Sequence, residues 1–287
     1  MGEAPPGFER VELDLGGLRF DAIARGPAQG PLVLFLHGWP SFATSWTGIM
    51  APVAAAGFRA VAVDQRGYSP GARPTAIADY VINRLLADID GFAQALAGEA
   101  RFHLVGHDWG GLIAWPYAGH HADRLASLTV LSTPHSKAFL EAIRNDTEQR
   151  RMSAYIGVFR QPGHVAEAAL LGDGARKLRA IYAGKVPAQA VEANVARLSE
   201  PGALTATLNW YRALDNALLG SPVTTPTLFI WGDQDQALGA TAAEATGKHV
   251  EGPYRFIRLE GRSHWLPEEA PDAIAEALID HVRQFPA

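Results

Sequence analysis

The chain has 287 residues, of which 48% are hydrophobic and 19% charged, enough for one large domain or two smaller ones around a substantial core and too apolar for extended disorder. Twenty-five basic against thirty acidic side chains give a net charge of −5, which argues against a broad nucleic-acid footprint or a polybasic membrane contact. The absence of Cys excludes disulfides, thiol nucleophiles and Cys-ligated zinc or iron–sulfur centres.

The first residues, Met1 to Gly7, have neither the basic nor the apolar region of a targeting signal. Val11, Leu13 and Leu15 alternate with acidic residues, Gly16-Gly17 makes a two-residue turn, and Leu18, Phe20 and Ala22 resume the alternation, which predicts a β-hairpin. Leu32 to Leu36 is the longest apolar run; it has the length of a strand buried on both faces, far short of a membrane span. A second buried strand, Ala60 to Val63, ends at Asp64. From Asp79 the period becomes helical, with Val81, Leu85, Ile89, Phe92 and Leu96 on one face and Gly98 as the stop. A third strand spans Phe102 to Gly106, a helix Gly110 to His120, and a further strand lies near Leu128 to Leu131. Pro116, beyond the first turn of that helix, is expected to kink it.

From His135 to Gly220 the strand signal disappears into helical patches broken at Pro162-Gly163 and Pro201-Gly202. Strands return at Thr227 to Trp231 and Phe256 to Leu259. A final helix follows, with Ile274, Leu278, Val282 and Phe285 on one face and Glu268 and Glu269 suited to its N-terminal dipole. The predicted architecture is an α/β domain with a mainly parallel sheet, residues 1–134 and 221–287, interrupted by a helical insertion at 135–220. A soluble, cytoplasmic protein is expected.

The chemistry concentrates where strands end. Gly106-His107-Asp108-Trp109-Gly110 lies between a buried strand and a helix, and has the pattern of a nucleophile elbow with Asp108 at its centre; the glycines are expected to let the chain turn sharply there. The competing reading is that Asp108 is simply a helix N-cap. In an elbow protein the loop His37-Gly38-Trp39-Pro40 supplies one backbone donor of an oxyanion hole and the residue after the nucleophile the other, so the Trp39 and Trp109 N–H groups are the candidates. His37 is expected to tie its loop down. An acid and a histidine should follow the nucleophile in that order. Trp231-Gly232-Asp233-Gln234-Asp235 and Gly261-Arg262-Ser263-His264 each follow a strand at the same sheet edge. His103, His120, His121 and His281 lack that placement. His103 and His107 do not share a face, and no metal site is expected.

Over nearly its whole length the sequence resembles α/β-hydrolase-fold epoxide hydrolases of the soluble type, on the strength of His37 to Pro40, Asp64-Gln65-Arg66-Gly67-Tyr68-Ser69, Gly106 to Gly111, Trp231 to Gly239 and Gly261 to Trp265. The resemblance implies an eight-stranded sheet flanked by helices, with a helical cap inserted after strand 6. It implies that Asp108 forms an alkyl ester with the epoxide and that His264, oriented by Asp235, activates the water that hydrolyses it. Tyr155, shortly before Pro162-Gly163, and Tyr211 in Asn209-Trp210-Tyr211-Arg212 match the two ring-opening tyrosines of that family. Trp39 and Trp109 would contact substrate. No cofactor is implied; the partners are a small epoxide and water, in a monomer or homodimer. A haloalkane dehalogenase shares the Asp108 ester, but Trp39 stands where its halide-binding Asn is usual. A fluoroacetate dehalogenase would need arginines where Gly110, Gly111 and Leu112 stand. A non-catalytic binding protein on this scaffold would usually lack one of the five side chains. Five of the seven Trp, namely Trp39, Trp109, Trp210, Trp231 and Trp265, lie at or within four residues of site positions, as an apolar pocket around them would require.

Overall fold

The computed structural model describes residues 4–214 and 222–287. Gly16 and Gly17 both take left-handed φ (64° and 93°), closing a two-residue turn that sets Leu15 opposite Leu18 between β1 (Glu9–Leu15) and β2 (Leu18–Arg25). Next come β3 (Leu32–Leu36), α1 (Thr47–Ala55), β4 (Arg59–Val63), α2 (Ile82–Ala97), β5 (Phe102–His107), α3 (Trp109–His120) and β6 (Leu125–Leu131). No strand then occurs among the described residues until β7 (Thr227–Gly232). The intervening helices are α4 (Ser136–Asn145), α5 (Thr147–Met152), α6 (Tyr155–Phe159), α7 (Val165–Ile181), α8 (Ala188–Leu198) and α9 (Ala203–Arg212). The chain closes with α10 (Ala240–Ala245), β8 (Tyr254–Leu259), α11 (Leu266–Glu269) and α12 (Pro271–Gln284). Gly220, the predicted end of the helical insertion, lies outside the described residues.

The eight strands form one sheet in the order β1-β2-β4-β3-β5-β6-β7-β8. The pairings of β2 with β1 and with β4 are antiparallel and all others are parallel. The central strands are apolar on both sides because both sheet faces are covered. Leu34 and Leu36 of β3 join a core with Ile89, Phe92 and Ile113, whereas Val33 and Phe35 point the other way, to Ile49, Val53, Leu278 and Val282. Leu36 pairs with Gly106, Gly106 with Val130, Leu131 with Ile230 and Gly232 with Leu259. The carboxyl ends of β3, β5, β7 and β8 therefore reach one edge together, and the loops that leave them meet there. No helix among the described residues is long and apolar enough to cross a membrane.

Two local expectations are corrected. The helix read from Asp79 begins at Ile82, because Ile77–Tyr80 forms a 3₁₀ turn first. Helical structure continues through Pro116 to His120. Glu268 and Glu269 belong to the separate α11 and not to the last helix. Pro271 explains the break: the residue before a proline avoids the α region, Ala270 sits at φ −144°, ψ 44°, and α12 starts on the proline with Phe285 just past its end.

Several side chains fasten the helical segment to the sheet edge. The Tyr182 hydroxyl donates to Pro40 O (2.8 Å) and the Trp210 indole to Arg66 O (2.8 Å). Arg197 reaches the buried Asp64 (2.5 Å) while lying over the Phe42 ring (3.7 Å). Beneath them, Arg66 grips Asp88 of α2 through two bonds of 2.7 and 2.6 Å. Burial pushes the Asp88 carboxyl up and Arg66 opposes that. Removing one partner strands a buried charge. Arg66→Ala is therefore expected to lower stability by about 3–5 kcal/mol, measured by denaturant unfolding; a loss below about 1 kcal/mol, the level of an exposed pair, would contradict this account.

Candidate active site

Asp108 sits between β5 and α3 with φ 49° and ψ −117°, a conformation rare for a residue with a side chain and one that marks functional sites. Asp108 occupies the N-cap position of α3, but its side chain makes no capping hydrogen bond, so capping does not account for the carboxylate. The turn strain falls on Asp108 itself. Gly106 and Gly110 do not have positive φ; they are required by crowding, since a Cβ on Gly110 would stand 2.0 Å from Leu36 O. Gly38 is equally constrained, as its Cβ would lie 2.3 Å from that of Asp108. The Asp108 carbonyl is fixed by Leu112 N (2.8 Å) and Thr133 Oγ1 (3.0 Å).

The strained turn presents the carboxylate to the β3 loop, where the Trp39 N–H donates to Oδ1 at 2.7 Å. The Trp39–Pro40 peptide is cis. His37 is buried and held neutral, pushed down to about 4 mainly by burial. Its Nδ1 bonds Gly38 O (3.0 Å), its Nε2 accepts from Gln65 N (3.3 Å), and its carbonyl accepts from Gln65 Nε2 (2.6 Å) and Gly110 N (3.1 Å). It ties the loop down, as expected. The Trp109 N–H opens α3 and makes no hydrogen bond among the described residues; it is one of the unpaired donors at the positive end of a helix.

His264 closes the arrangement. Its Nε2 lies 3.6 Å from Asp108 Oδ2 and its Nδ1 bonds Asp235 Oδ2 at 2.9 Å. Asp235 Oδ1 accepts from the N–H groups of Ala237 (2.8 Å) and Leu238 (2.9 Å). Asp233 faces elsewhere, pairing with Arg258 and Gly261 N. Burial alone would push the His264 imidazole down, but Asp235 and Asp108 outweigh it and raise it to about 10. Burial likewise pushes the Asp108 carboxyl up, and His264, His107 and the Trp39 N–H more than reverse this, leaving it below the usual carboxylate value. The resting pair is thus carboxylate and imidazolium.

Tyr155, at the start of α6, and Tyr211, in the last turn of α9, line a cavity of about 250 Å³ together with Asp108 and His264. Their rings are 6.3 Å apart. Burial, with Asp108 adding to it, raises both phenols, so they remain neutral hydrogen-bond donors. The other walls are Trp39, Met152, Phe159, Ile181, Gln236, Ala237 and Trp265. Trp109 is not among the residues lining this cavity; its indole packs against Tyr211, ring centroids 4.9 Å apart. Of the five Trp near the site, Trp39 and Trp265 form walls. Trp210 and Trp231 spend their indole N–H groups on Arg66 O and Leu238 O.

Some supports have no signal in the sequence. The His264 carbonyl accepts from His107 Nε2 (2.8 Å) and Ser132 Oγ (2.9 Å), and Glu269 accepts from Ser263 N (2.9 Å) and its hydroxyl. His107 is neutral, pushed down to about 4 chiefly by burial and next by His264. Its place beside the nucleophile was the one available hint.

Residues 31–271 match the family described as alpha/beta hydrolase fold. Among curated proteins the chain is similar to Epoxide hydrolase A of Mycobacterium tuberculosis, with 33% identity covering 93% of this chain and 95% of that one. It is also similar to Epoxide hydrolase 3 of Xenopus tropicalis, with 32% identity covering 96% and 77%. Among solved structures, Epoxide Hydrolase A from Mycobacterium thermoresistibile superposes with a TM-score of 0.84 at 30% identity, covering 97% of this chain and 99% of that one.

The electrostatics carry a pH signature. His264 holds its proton more tightly folded than in the unfolded chain, where the value is about 6.5. Its contribution to stability is therefore complete below about pH 6.5 and is lost as pH rises through about 10. Asp108→Asn removes one of the two anions and should lower the His264 midpoint, read by ¹⁵N NMR of the imidazole; an unchanged midpoint would contradict the assignment of Asp108 as a charge partner.

Proposed function

The chain belongs to the α/β-hydrolase fold family, and from that membership we propose that it hydrolyses epoxides to vicinal diols through an alkyl ester on Asp108. The observation that carries this reading is the convergence of two neutral phenols on the cavity that also holds a carboxylate. A carboxylate needs no base to act as nucleophile at a saturated carbon. The epoxide's leaving oxygen stays attached as an alkoxide and needs a proton donor as the C–O bond breaks.

In the first step Asp108 Oδ2 attacks a ring carbon, the C–O bond breaks, and the oxygen takes a proton from Tyr155 or Tyr211. Oδ2 is the attacking atom because Oδ1 is already held by the Trp39 N–H. Ester formation discharges Asp108, which removes one anion that holds the proton on His264. The imidazolium can then give up its proton, restoring the phenol, and the neutral imidazole becomes a base. In the second step it takes a proton from water, whose oxygen attacks the ester carbonyl. The oxyanion on Oδ1 is met by the Trp39 and Trp109 N–H groups. Collapse breaks the bond from the carbonyl carbon to Oδ2, which leaves with the diol and takes the proton from His264; the other water proton, left on the Asp108 carboxyl, then passes to His264 and restores the carboxylate and imidazolium. Asp235 orients the imidazole throughout. Helices α4 to α9 serve as the cap, and it supplies both phenols. No cofactor enters the chemistry.

The cavity narrows the substrate class. At about 30 Å³ per water, 250 Å³ corresponds to a compact molecule. Its walls are mostly aromatic and aliphatic, and no Lys or Arg lines them. A substrate carboxylate would be desolvated beside Asp108 with no partner. We infer an uncharged epoxide with a small aryl or alkyl group. A halide leaving group would find phenols in the cavity and not the Trp109 indole, which favours the epoxide over dehalogenation.

His264→Gln exposed to styrene oxide should accumulate an adduct on the Asp108 peptide with the mass of the epoxide, while the wild type releases diol and frees no halide from a bromoalkane. An epoxide with a carboxylate on the ring carbon, such as 3-phenylglycidate, should turn over at least about tenfold more slowly, a 1.4 kcal/mol difference. Halide release without diol formation would overturn the function, and faster turnover of the glycidate would overturn the substrate class.

A further inference from the structure

Tyr155 and Asp235 come from distant parts of the chain, yet both must be placed within a fraction of an ångström for their steps to proceed. One buried amide lies between them. Gln149, on α5 and 1% exposed, has its hydrogen-bonding capacity spent in two directions. Toward the acid loop, Nε2 donates to Ala237 O (2.9 Å) and Oε1 accepts from Gly239 N (2.8 Å). Toward the phenol, Nε2 donates to Ser153 Oγ (2.9 Å), in the short link that leads from α5 into Tyr155 and α6.

Both limbs continue into the site. The Ala237 N–H donates to Asp235 Oδ1, and Asp235 Oδ2 holds His264. Ser153 O accepts from Ile156 N (3.1 Å), the residue after Tyr155. Met152 at the end of α5 and Ala237 are both walls of the cavity. A second contact aligns the same helix, where Asp146 caps α5 through Glu148 N and accepts from Thr241 Oγ1 (2.7 Å). A glutamine that only filled space would not need three directed bonds, and an apolar residue there would leave the Ala237 carbonyl and Gly239 N–H unpaired.

We propose that Gln149 is a positioning residue that holds the ring-opening Tyr155 and the Asp235–His264 pair in one fixed register, so that ester formation and ester hydrolysis share a single support. This rests on the proposed reaction through Asp108. Gln149 touches no reacting atom. It acts through Ser153 on the first step and through Ala237 on the second.

The test is single-turnover kinetics with styrene oxide on the full chain, following ester formation and ester hydrolysis separately. Gln149→Ala should slow both steps, each on the order of tenfold to a hundredfold. Ser153→Ala, which cuts only the phenol limb, should slow ester formation and leave hydrolysis within about twofold. In a Tyr155→Phe background Gln149→Ala should change ester formation by less than about twofold, because the group it positions is already gone. Unchanged rates in Gln149→Ala, or a full multiplicative loss in the Tyr155→Phe background, would overturn the proposal. If Gln149→Ala does not fold, Ser153→Ala decides alone: equal losses in both steps, or none in either, would overturn it. A wild-type chain that forms no ester overturns the reaction itself, and so is distinguishable from failure of the positioning role.

Discussion

A carboxylate removed from water stays ionised only where fixed donors and a neighbouring cation replace its hydration. Asp108 is placed under that constraint, and the surrounding structure answers it. The Trp39 N–H at 2.7 Å and the His264 imidazolium at 3.6 Å face its two oxygens. A non-glycine φ of 49° costs on the order of 1–3 kcal/mol. It persists because the chain on every side is fixed, by Gly38 pressed against the side chain, Gly110 against the β3 carbonyl, and Thr133 and Leu112 on its own carbonyl.

The same constraint makes the site work in sequence. While Asp108 is anionic, His264 sits between two carboxylates and keeps its proton; once Asp108 becomes an ester, one of those anions is gone. In the proposed reaction the charge state of Asp108 therefore selects whether His264 stabilises an anion or removes a proton from water. Nothing needs to move for that switch, provided Asp235 and the phenols stay in place. The two N–H donors to Asp235 Oδ1 and the His107 and Ser132 bonds to the His264 carbonyl supply that rigidity.

Some of this was legible in the sequence because it depends on local pattern. The strands ending at Leu36, His107 and Gly232 are largely apolar and the one ending at Leu259 mixes apolar and charged residues, and in a parallel sheet their following loops must meet. The elbow could be read as Gly-x-Asp-x-Gly, but the reason for its glycines could not. Their crowding against Leu36 O is a tertiary contact, and the positive φ belongs to Asp108. Trp109 shows the same limit, since adjacency to the nucleophile puts its N–H at the start of α3 and says nothing of where the indole packs. Asp233 and Asp235 share one loop, and only the folded turn distinguishes the residue facing His264 from the one facing Arg258. Gln149 and Ser132 carried no signal at all, because their partners lie 88 and 132 positions away.

The central claim is that Asp108 carries the substrate as an ester and that water attacks its carbonyl carbon. A single turnover of excess protein over styrene oxide in ¹⁸O-water tests this directly. The account predicts one ¹⁸O in Asp108, found in its peptide by mass spectrometry, and a first-turnover diol without label, because the oxygen delivered to the diol is the original Oδ2. Labelled diol with no label in Asp108 would mean that water attacks the epoxide itself, and would contradict the account.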